Sequence, residues 1–148
     1  MEPRLKFDEL APEGLARMRE LEHYLNSQTG LEATLQELVR LLASTMNGCA
    51  YCVGLHTSEL KRHNETADRI AEVTGWRVND LYTHRERAAF GWTEAVTNIQ
   101  EGHSPDAVYA EVKAHFGDVE IVNLTLTITT INAWNRLAIS LGAHSRRG

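Results

Sequence analysis

Hydrophobic residues recur at intervals of three and four along most of the chain, which is the period of an α-helix with one buried face. The clearest stripe contains Leu31, Leu35, Leu38, Leu42 and Met46. It stops at Asn47-Gly48, two residue types that readily adopt the left-handed conformation that ends helices. The pattern therefore predicts a helix from about residue 31 to residue 47.

Stripes and end signals predict five more helices before the last segment, at about residues 12–28, 49–62, 67–73, 84–101 and 105–116. Pro12 is expected at the first helical position, where its fixed φ suits the helix. Thr83 and Glu86 have the spacing of a capping box, and Gly102 is expected to close the helix that they open. Ser104 is predicted to cap the helix that begins at Pro105.

The segment DVEIVNLTLTITTINAWNRLAISLG, which begins at Asp118, is ambiguous. LTLTIT alternates with period two and is rich in β-branched residues, which favours a strand locally. Over the longer window Ile121, Leu124, Ile128 and Ile131 repeat at helical spacing, and no other segment offers a strand for pairing. The sequence therefore predicts a final helix.

These elements predict an all-α fold, a single-domain bundle of about six to seven helices that spans residues 1–148. Residues 1–30 are expected to form an N-terminal helical extension, and residues 31–64 the core helices. The net charge of −5, with acidic and basic residues interspersed, gives no surface suited to a nucleic acid backbone. No stretch has the length of a membrane span or the layout of a signal peptide, so we expect a cytoplasmic protein without nucleic acid or membrane partners.

The stretch NGCAYCVGLH carries the candidate chemistry. On a helix, Cys49, Cys52 and His56 form one column, because their spacings are three and four residues. The pair follows a helix stop, so it lies in the first turn of the next helix, where free backbone N–H groups stabilise a thiolate. His56 can accept the proton of Cys52, and the three-residue spacing predicts an intramolecular disulfide on oxidation.

A structural zinc site is the competing interpretation. Such a site needs four protein ligands, and the chain has only two cysteines. The other two ligands would have to be His56 and one of the histidines scattered along the chain. The remaining possibility is that the cysteines simply pack in the core. Redox chemistry is the favoured reading, with no metal and no bound cofactor, since the chain has no glycine-rich nucleotide motif and no flavin signature.

The run LQELVRLLASTMNGCAYCVGLHTSELKRHNET resembles the core motif of alkylhydroperoxidase D-like proteins in the carboxymuconolactone decarboxylase superfamily. The similarity continues through RERAAFGWTEAVT, EGHSPD and INAWNRLA. In that family a glutamate twelve residues before the first cysteine joins the cysteines and the histidine in a proton relay. The corresponding residue here is Glu37.

The resemblance implies that Cys52 attacks peroxide, that Cys49 resolves the product, and that His56 with Glu37 deprotonates Cys52. It also implies an all-helical fold and assembly into trimers or hexamers. The chain departs from the founding peroxidase in having Tyr51 between the cysteines, where the founder has histidine, and in having one core motif unit where the founder has two. Decarboxylase members usually lack the two cysteines, which disfavours that activity.

Helix position and base position favour different cysteines. The helix dipole favours a thiolate at Cys49, whereas His56 favours Cys52. We assign the attacking role to Cys52, because a positioned base should outweigh a dipole effect of about 0.3 to 1 kcal/mol.

Asn132 and Trp134 are weaker candidates for lining the site, since packing would explain both.

The predicted function is a thiol-dependent peroxidase that reduces hydroperoxides through a dithiol/disulfide cycle and is restored by an external dithiol or reductase. The alternatives are a general thiol-disulfide oxidoreductase with weak peroxidase activity and a non-catalytic redox-sensing oligomer. Apolar stripes on nearly every helix of a short chain also predict a homo-oligomer.

Overall fold

The computed structural model describes residues 2–142, which form eight α-helices and one 3₁₀ turn. The helices are α1 (Phe7–Leu10), α2 (Pro12–Ser27), α3 (Ala33–Asn47), α4 (Ala50–Arg62), α5 (Ala67–Ala71), α6 (His84–Thr97), α7 (Asp106–His115) and α8 (Asp118–Leu141), with the 3₁₀ turn at Val73–Gly75. The all-α prediction is confirmed. None of these helices is both long and apolar enough to cross a membrane.

Helix α3 lies at the centre, packed against α4, α6 and α8. Every residue from 35 to 44 in this helix is buried. A helix that is buried on all sides must find partners for its polar side chains inside the protein, and Gln36, Glu37, Arg40 and Ser44 are in this position.

Helix α8 resolves the ambiguity of the last segment. Its buried face contains Ile121, Leu124, Ile128 and Ile131, as the helical spacing predicts. The threonines that suggested a strand are accommodated because their hydroxyls donate to carbonyls one turn back, as Thr125 does to Ile121 at 2.7 Å and Thr127 does to Asn123 at 3.0 Å.

Several helix ends differ from the prediction. Helix α6 opens on the predicted capping box of Thr83 and Glu86, but it ends at Thr97, well before Gly102. Helix α7 begins at Asp106 with Pro105 in the cap position, so the prediction that Ser104 is the cap was wrong. Ser104 instead has φ of 54°, in the left-handed region, and cannot present its hydroxyl as a cap residue would. The four-residue helix α1 had no periodic signal and was not anticipated.

Candidate active site

The junction between α3 and α4 places the two cysteines. Gly48 ends α3 with φ of 72°, a conformation that glycine adopts without a side-chain penalty. The N–H of Cys49 then donates to the carbonyl of Ser44 at 3.0 Å, which fixes the turn. Cys49 is the N-cap of α4, and its Sγ accepts from the N–H of Cys52 at 3.4 Å. Cys52 therefore lies in the first turn of α4, as predicted, whereas Cys49, which was predicted in the same turn, lies just outside the helix as its N-cap.

Cys49 and Cys52 are joined as a disulfide, with their Cα atoms 5.3 Å apart. Both residues are buried, and they pack against Ala138 of α8 and the half-buried Tyr51. The prediction that these two cysteines pair intramolecularly agrees with this arrangement. Within residues 2–142, no three His, Cys, Asp or Glu side chains are grouped so that they could hold a metal ion.

His56 and Glu37 meet across the contact of α3 and α4. Nδ1 of His56 lies 2.7 Å from Oε2 of Glu37, and both residues are buried, with 5% and 8% of their surfaces exposed. His56 follows Cys52 by one helical turn, so the two side chains lie on one face of α4. The structure thus brings together all four residues that the sequence singled out.

Arg40 is a further member of this cluster that the sequence reasoning missed. Its Nη1 donates to Oε1 of Glu37 at 2.6 Å, and Nη2 approaches the side-chain oxygen of Gln36 at 3.4 Å. The amide of Gln36 donates in turn to the carbonyl of Leu25 at 3.0 Å. A signal was present in the sequence, because Glu37 and Arg40 are opposite charges three residues apart inside a leucine-rich run.

The charges around Glu37 settle its protonation. Burial raises the pKa of this carboxyl, but the hydrogen bond and charge of His56 and the charge of Arg40 outweigh it, so the pKa of Glu37 lies below its usual range. A carboxylate can only accept hydrogen bonds, so Nδ1 of His56 must carry the proton that it shares with Glu37. Nε2 of a neutral His56 is then the free acceptor.

Two hollows flank the disulfide. The Cys52 cavity, about 280 Å³, is lined by Cys52 and His56 together with residues of α1, α2 and α8. The Cys49 cleft, about 350 Å³, is lined by Cys49, Gly48 and the end of α8. Tyr51 and Ala138 line both hollows and so form the wall between them.

The two weaker candidates from α8 have different positions. Trp134 lines the Cys52 cavity, and its indole N–H is buried without a hydrogen-bond partner among residues 2–142. Asn132 is not in that wall. Its side-chain oxygen accepts from Asn47 at 2.9 Å, as does that of Asn135, which ties the end of α3 to α8 beside the cysteine turn.

The model of the carboxymuconolactone decarboxylase family matches residues 12–95, which is more than half of the chain. The chain belongs to the carboxymuconolactone decarboxylase family. Its alkylhydroperoxidase D-like character is supported by a solved structure, a protein of unknown function from Agrobacterium tumefaciens for which an AhpD antioxidant defence role has been suggested. That structure has 37% identity and a TM-score of 0.95, over 99% of this chain and 100% of the other.

Two further proteins are similar to this chain, one in sequence and one in fold. The uncharacterized protein YdfG of Bacillus subtilis is 37% identical over 142 residues, 96% of each chain. The debrominase Bmp8 shares the fold, with a TM-score of 0.80 over 94% of this chain and 74% of the other, but only 15% identity. The present chain is thus alkylhydroperoxidase D-like in fold, and it carries a buried cysteine pair at its predicted site.

Proposed function

We propose that the protein is a thiol-dependent peroxidase that reduces hydroperoxides through a Cys49–Cys52 dithiol/disulfide cycle. The observation that carries the proposal is the buried line from Cys52 to His56, one turn apart on α4, and on to Glu37, 2.7 Å from Nδ1 of His56. This is the arrangement of a nucleophile, a base and a residue that orients the base. The antioxidant role suggested for the Agrobacterium relative supports the same reading.

The first step is oxidation of Cys52. Nε2 of His56 takes the thiol proton, and the thiolate attacks the terminal oxygen of the peroxide. A sulfur–oxygen bond forms while the oxygen–oxygen bond breaks, and the leaving alkoxide takes the proton from His56. The products are a sulfenic acid on Cys52 and an alcohol, or water from hydrogen peroxide.

The Cys52 cavity suits this step. Its volume of about 280 Å³ accommodates a small hydroperoxide, and Leu55, Ile131 and Trp134 give it an apolar wall. A peroxide oxygen held there would provide an acceptor for the buried indole N–H of Trp134.

The second step is resolution by Cys49. Its Cα lies 5.3 Å from that of Cys52, within the range that a disulfide requires. The thiol of Cys49 attacks the sulfenic sulfur, a disulfide forms, and water leaves. An external dithiol or reductase then supplies two electrons and two protons to regenerate both thiols. Such continual reduction fits the cytoplasm, where thiols are kept reduced.

Steady-state consumption of cumene hydroperoxide with dithiothreitol as donor tests the proposal. The wild-type protein should turn over many times, and both Cys52→Ser and Cys49→Ser should lose turnover, because each cysteine is needed for the cycle. Turnover that survives Cys52→Ser would contradict the proposal.

A general thiol-disulfide oxidoreductase is the second candidate, favoured by the Cys49 cleft, which gives a thiol reagent its own route to the disulfide. Disulfide exchange with a peptide substrate, without peroxide turnover, would support this second function. A single stoichiometric oxidation with neither activity would instead indicate a redox sensor.

We also propose that the protein forms a homo-oligomer. Large apolar side chains stay exposed in the described part of the chain: Leu5, Leu10, Leu55, Val78, Ile99, Tyr109, Val119, Val122 and Ile139. Val119 and Val122 lie one turn apart on α8, with 74% and 60% of their surfaces exposed. Exposed apolar positions that repeat along one helix are typical of a surface that a second copy covers.

A further inference from the structure

The disulfide lies between the two hollows, with one sulfur-bearing residue in the wall of each. Cys49 lines the Cys49 cleft but not the Cys52 cavity, and Cys52 lines the cavity but not the cleft. Tyr51 and Ala138 separate them. The two ends of the disulfide are therefore approached from different sides of the protein.

Thiol-disulfide exchange has a directional requirement. The attacking thiolate must approach along the line of the sulfur–sulfur bond, from behind the sulfur that it attacks, and the far sulfur leaves. A donor in the Cys49 cleft can therefore attack only Cys49 and expel Cys52. A donor in the Cys52 cavity would attack Cys52 and expel Cys49.

The surroundings of Cys52 make it the better leaving group. The expelled thiolate of Cys52 has His56 one turn away on the same helix face, and His56 can supply a proton to it. Among residues 2–142, no histidine lines the Cys49 cleft, whose wall contains Gly48, Ala50, Tyr51 and the end of α8, with Glu2 and Arg4 beside them.

We propose that the Cys49 cleft is the site at which the reductant, a small dithiol, attacks Cys49. Both cysteines are buried, with 2% and 4% of their surfaces exposed, and the cleft volume of about 350 Å³ suits a slender molecule better than the surface of a folded protein. The inference rests on the disulfide half of the proposed cycle and not on peroxide being the oxidant.

The electrons and protons balance in two steps. The first donor sulfur bonds to Sγ of Cys49, and the electron pair of the broken disulfide passes to Sγ of Cys52. The second donor thiol then displaces Cys49 from the mixed disulfide, so the donor leaves as a cyclic disulfide. The two protons of the donor thiols end on Cys49 and Cys52.

A matched pair of filling substitutions tests the route. Ile139 lines the Cys49 cleft and Leu55 lines the Cys52 cavity, and they are aliphatic helix residues with similar exposure, 51% and 46%. Protein oxidised with diamide is mixed with dithiothreitol, and thiol recovery is followed by rapid acid quench and alkylation. Ile139→Trp should slow reduction by about tenfold or more, whereas Leu55→Trp should change it by less than about twofold.

A second measurement identifies the attacked sulfur directly. The oxidised wild-type protein is treated with the monothiol N-acetylcysteamine, quenched in acid and alkylated, and the adduct is located by tandem mass spectrometry. The adduct should be on Cys49, with Cys52 alkylated. An adduct on Cys52, or slower reduction in Leu55→Trp and not in Ile139→Trp, would overturn the proposal. Neither measurement uses peroxide, so a failed peroxidase assay would not affect their outcome.

Discussion

Replacing Arg40 with methionine should move the acid limb of the pH–rate profile for peroxide attack to higher pH. Arg40 is a buried positive charge whose Nη1 is 2.6 Å from Glu37, and Glu37 bonds His56 on its other oxygen at 2.7 Å. The guanidinium opposes the binding of a proton by the Glu37–His56 pair. Without it the pair holds a proton more tightly, and a protonated His56 cannot accept one from Cys52.

The size of the shift follows from the charge separation. Opposite oxygens of the Glu37 carboxylate lie 2.6 Å from Arg40 and 2.7 Å from His56, which puts the two charges about 6 Å apart, and two unit charges at that distance interact by about 3 kcal/mol at an effective dielectric constant of about 20. Since about 1.4 kcal/mol corresponds to one pH unit, the upper bound is about two units. Relaxation of the site reduces this value, and we expect a shift of about one to two units.

The assay is the second-order rate of peroxide-dependent loss of thiol, measured under single-turnover conditions from about pH 5 to about pH 9. Arg40→Lys keeps the charge and should restore most of the wild-type profile. Glu37→Gln removes a negative charge from the same cluster, so it should move the acid limb in the opposite direction while lowering the rate. The other charged groups that line the Cys52 cavity, Asp8, Arg19 and Glu22, are unchanged in all three variants.

Arg69→Met provides the matched control. Arg69 pairs with Glu65 and Glu86, away from the cysteines, so its loss removes an arginine ion pair without touching the relay. It should lower stability and leave the acid limb in place. An Arg40→Met protein that is folded by circular dichroism but has an unmoved or lowered acid limb would refute the reasoning.

The remaining predictions concern the base, acid stability and assembly. His56→Ala should slow peroxide attack by about 10² to 10⁴ in the same thiol-loss assay. Adding Glu37→Gln should slow it little further, because the effects of residues that act as one relay are not additive. Rate losses that simply multiply would contradict the relay. In the folded chain the pKa values of Glu37, Glu86 and Glu120 lie below their ordinary value of 4.5, although burial opposes this in all three and is the largest single effect on the first two. The stabilisation that these carboxylates give is therefore complete above about pH 4.5 and is lost as the pH falls through their folded-state pKa values. Urea denaturation should show that the free energy of unfolding falls below that pH, and that it falls less steeply in Glu86→Gln. An equal fall in the wild type and in Glu86→Gln would argue against the carboxylates as the cause. Sedimentation at micromolar concentration should show a homo-oligomer, and a stable monomer of 16.6 kDa would contradict it.

The helix boundaries nearest the site could be predicted because they depend on local chemistry. Gly48 ends α3 in the left-handed conformation and Pro12 begins α2, as the residue types require, whereas Cys49, predicted in the first turn of α4, is its N-cap. Helix α8 was predictable from the spacing of its isoleucines, although its threonines favour strands in isolation. Local signals failed between α6 and α7, where α6 ends at Thr97 before the predicted stop at Gly102 and where Ser104 does not cap α7.

The composition of the site was only partly predictable. Cys49, Cys52 and His56 belong to one short motif, whereas Glu37 was assigned through family resemblance. The spacing of Glu37 and Arg40 allows an ion pair on one helix, but the burial of Arg40 at the site could not be predicted, because it depends on α4, α6 and α8 enclosing α3 on all sides. The two separate hollows beside the disulfide depend on the packing of Tyr51 and Ala138, which are far apart in the sequence. A local sequence pattern cannot predict such a contact.

The central claim, that Cys52 is the thiol that attacks peroxide, is tested most directly by sulfenic acid trapping. Cys49→Ser and Cys52→Ser are each treated with one equivalent of peroxide in the presence of a dimedone-type probe, and the adduct is located by mass spectrometry. The account predicts an adduct on Cys52 in Cys49→Ser and none in Cys52→Ser. An adduct on Cys49 in Cys52→Ser, with none on Cys52 in Cys49→Ser, would contradict it and reverse the two roles.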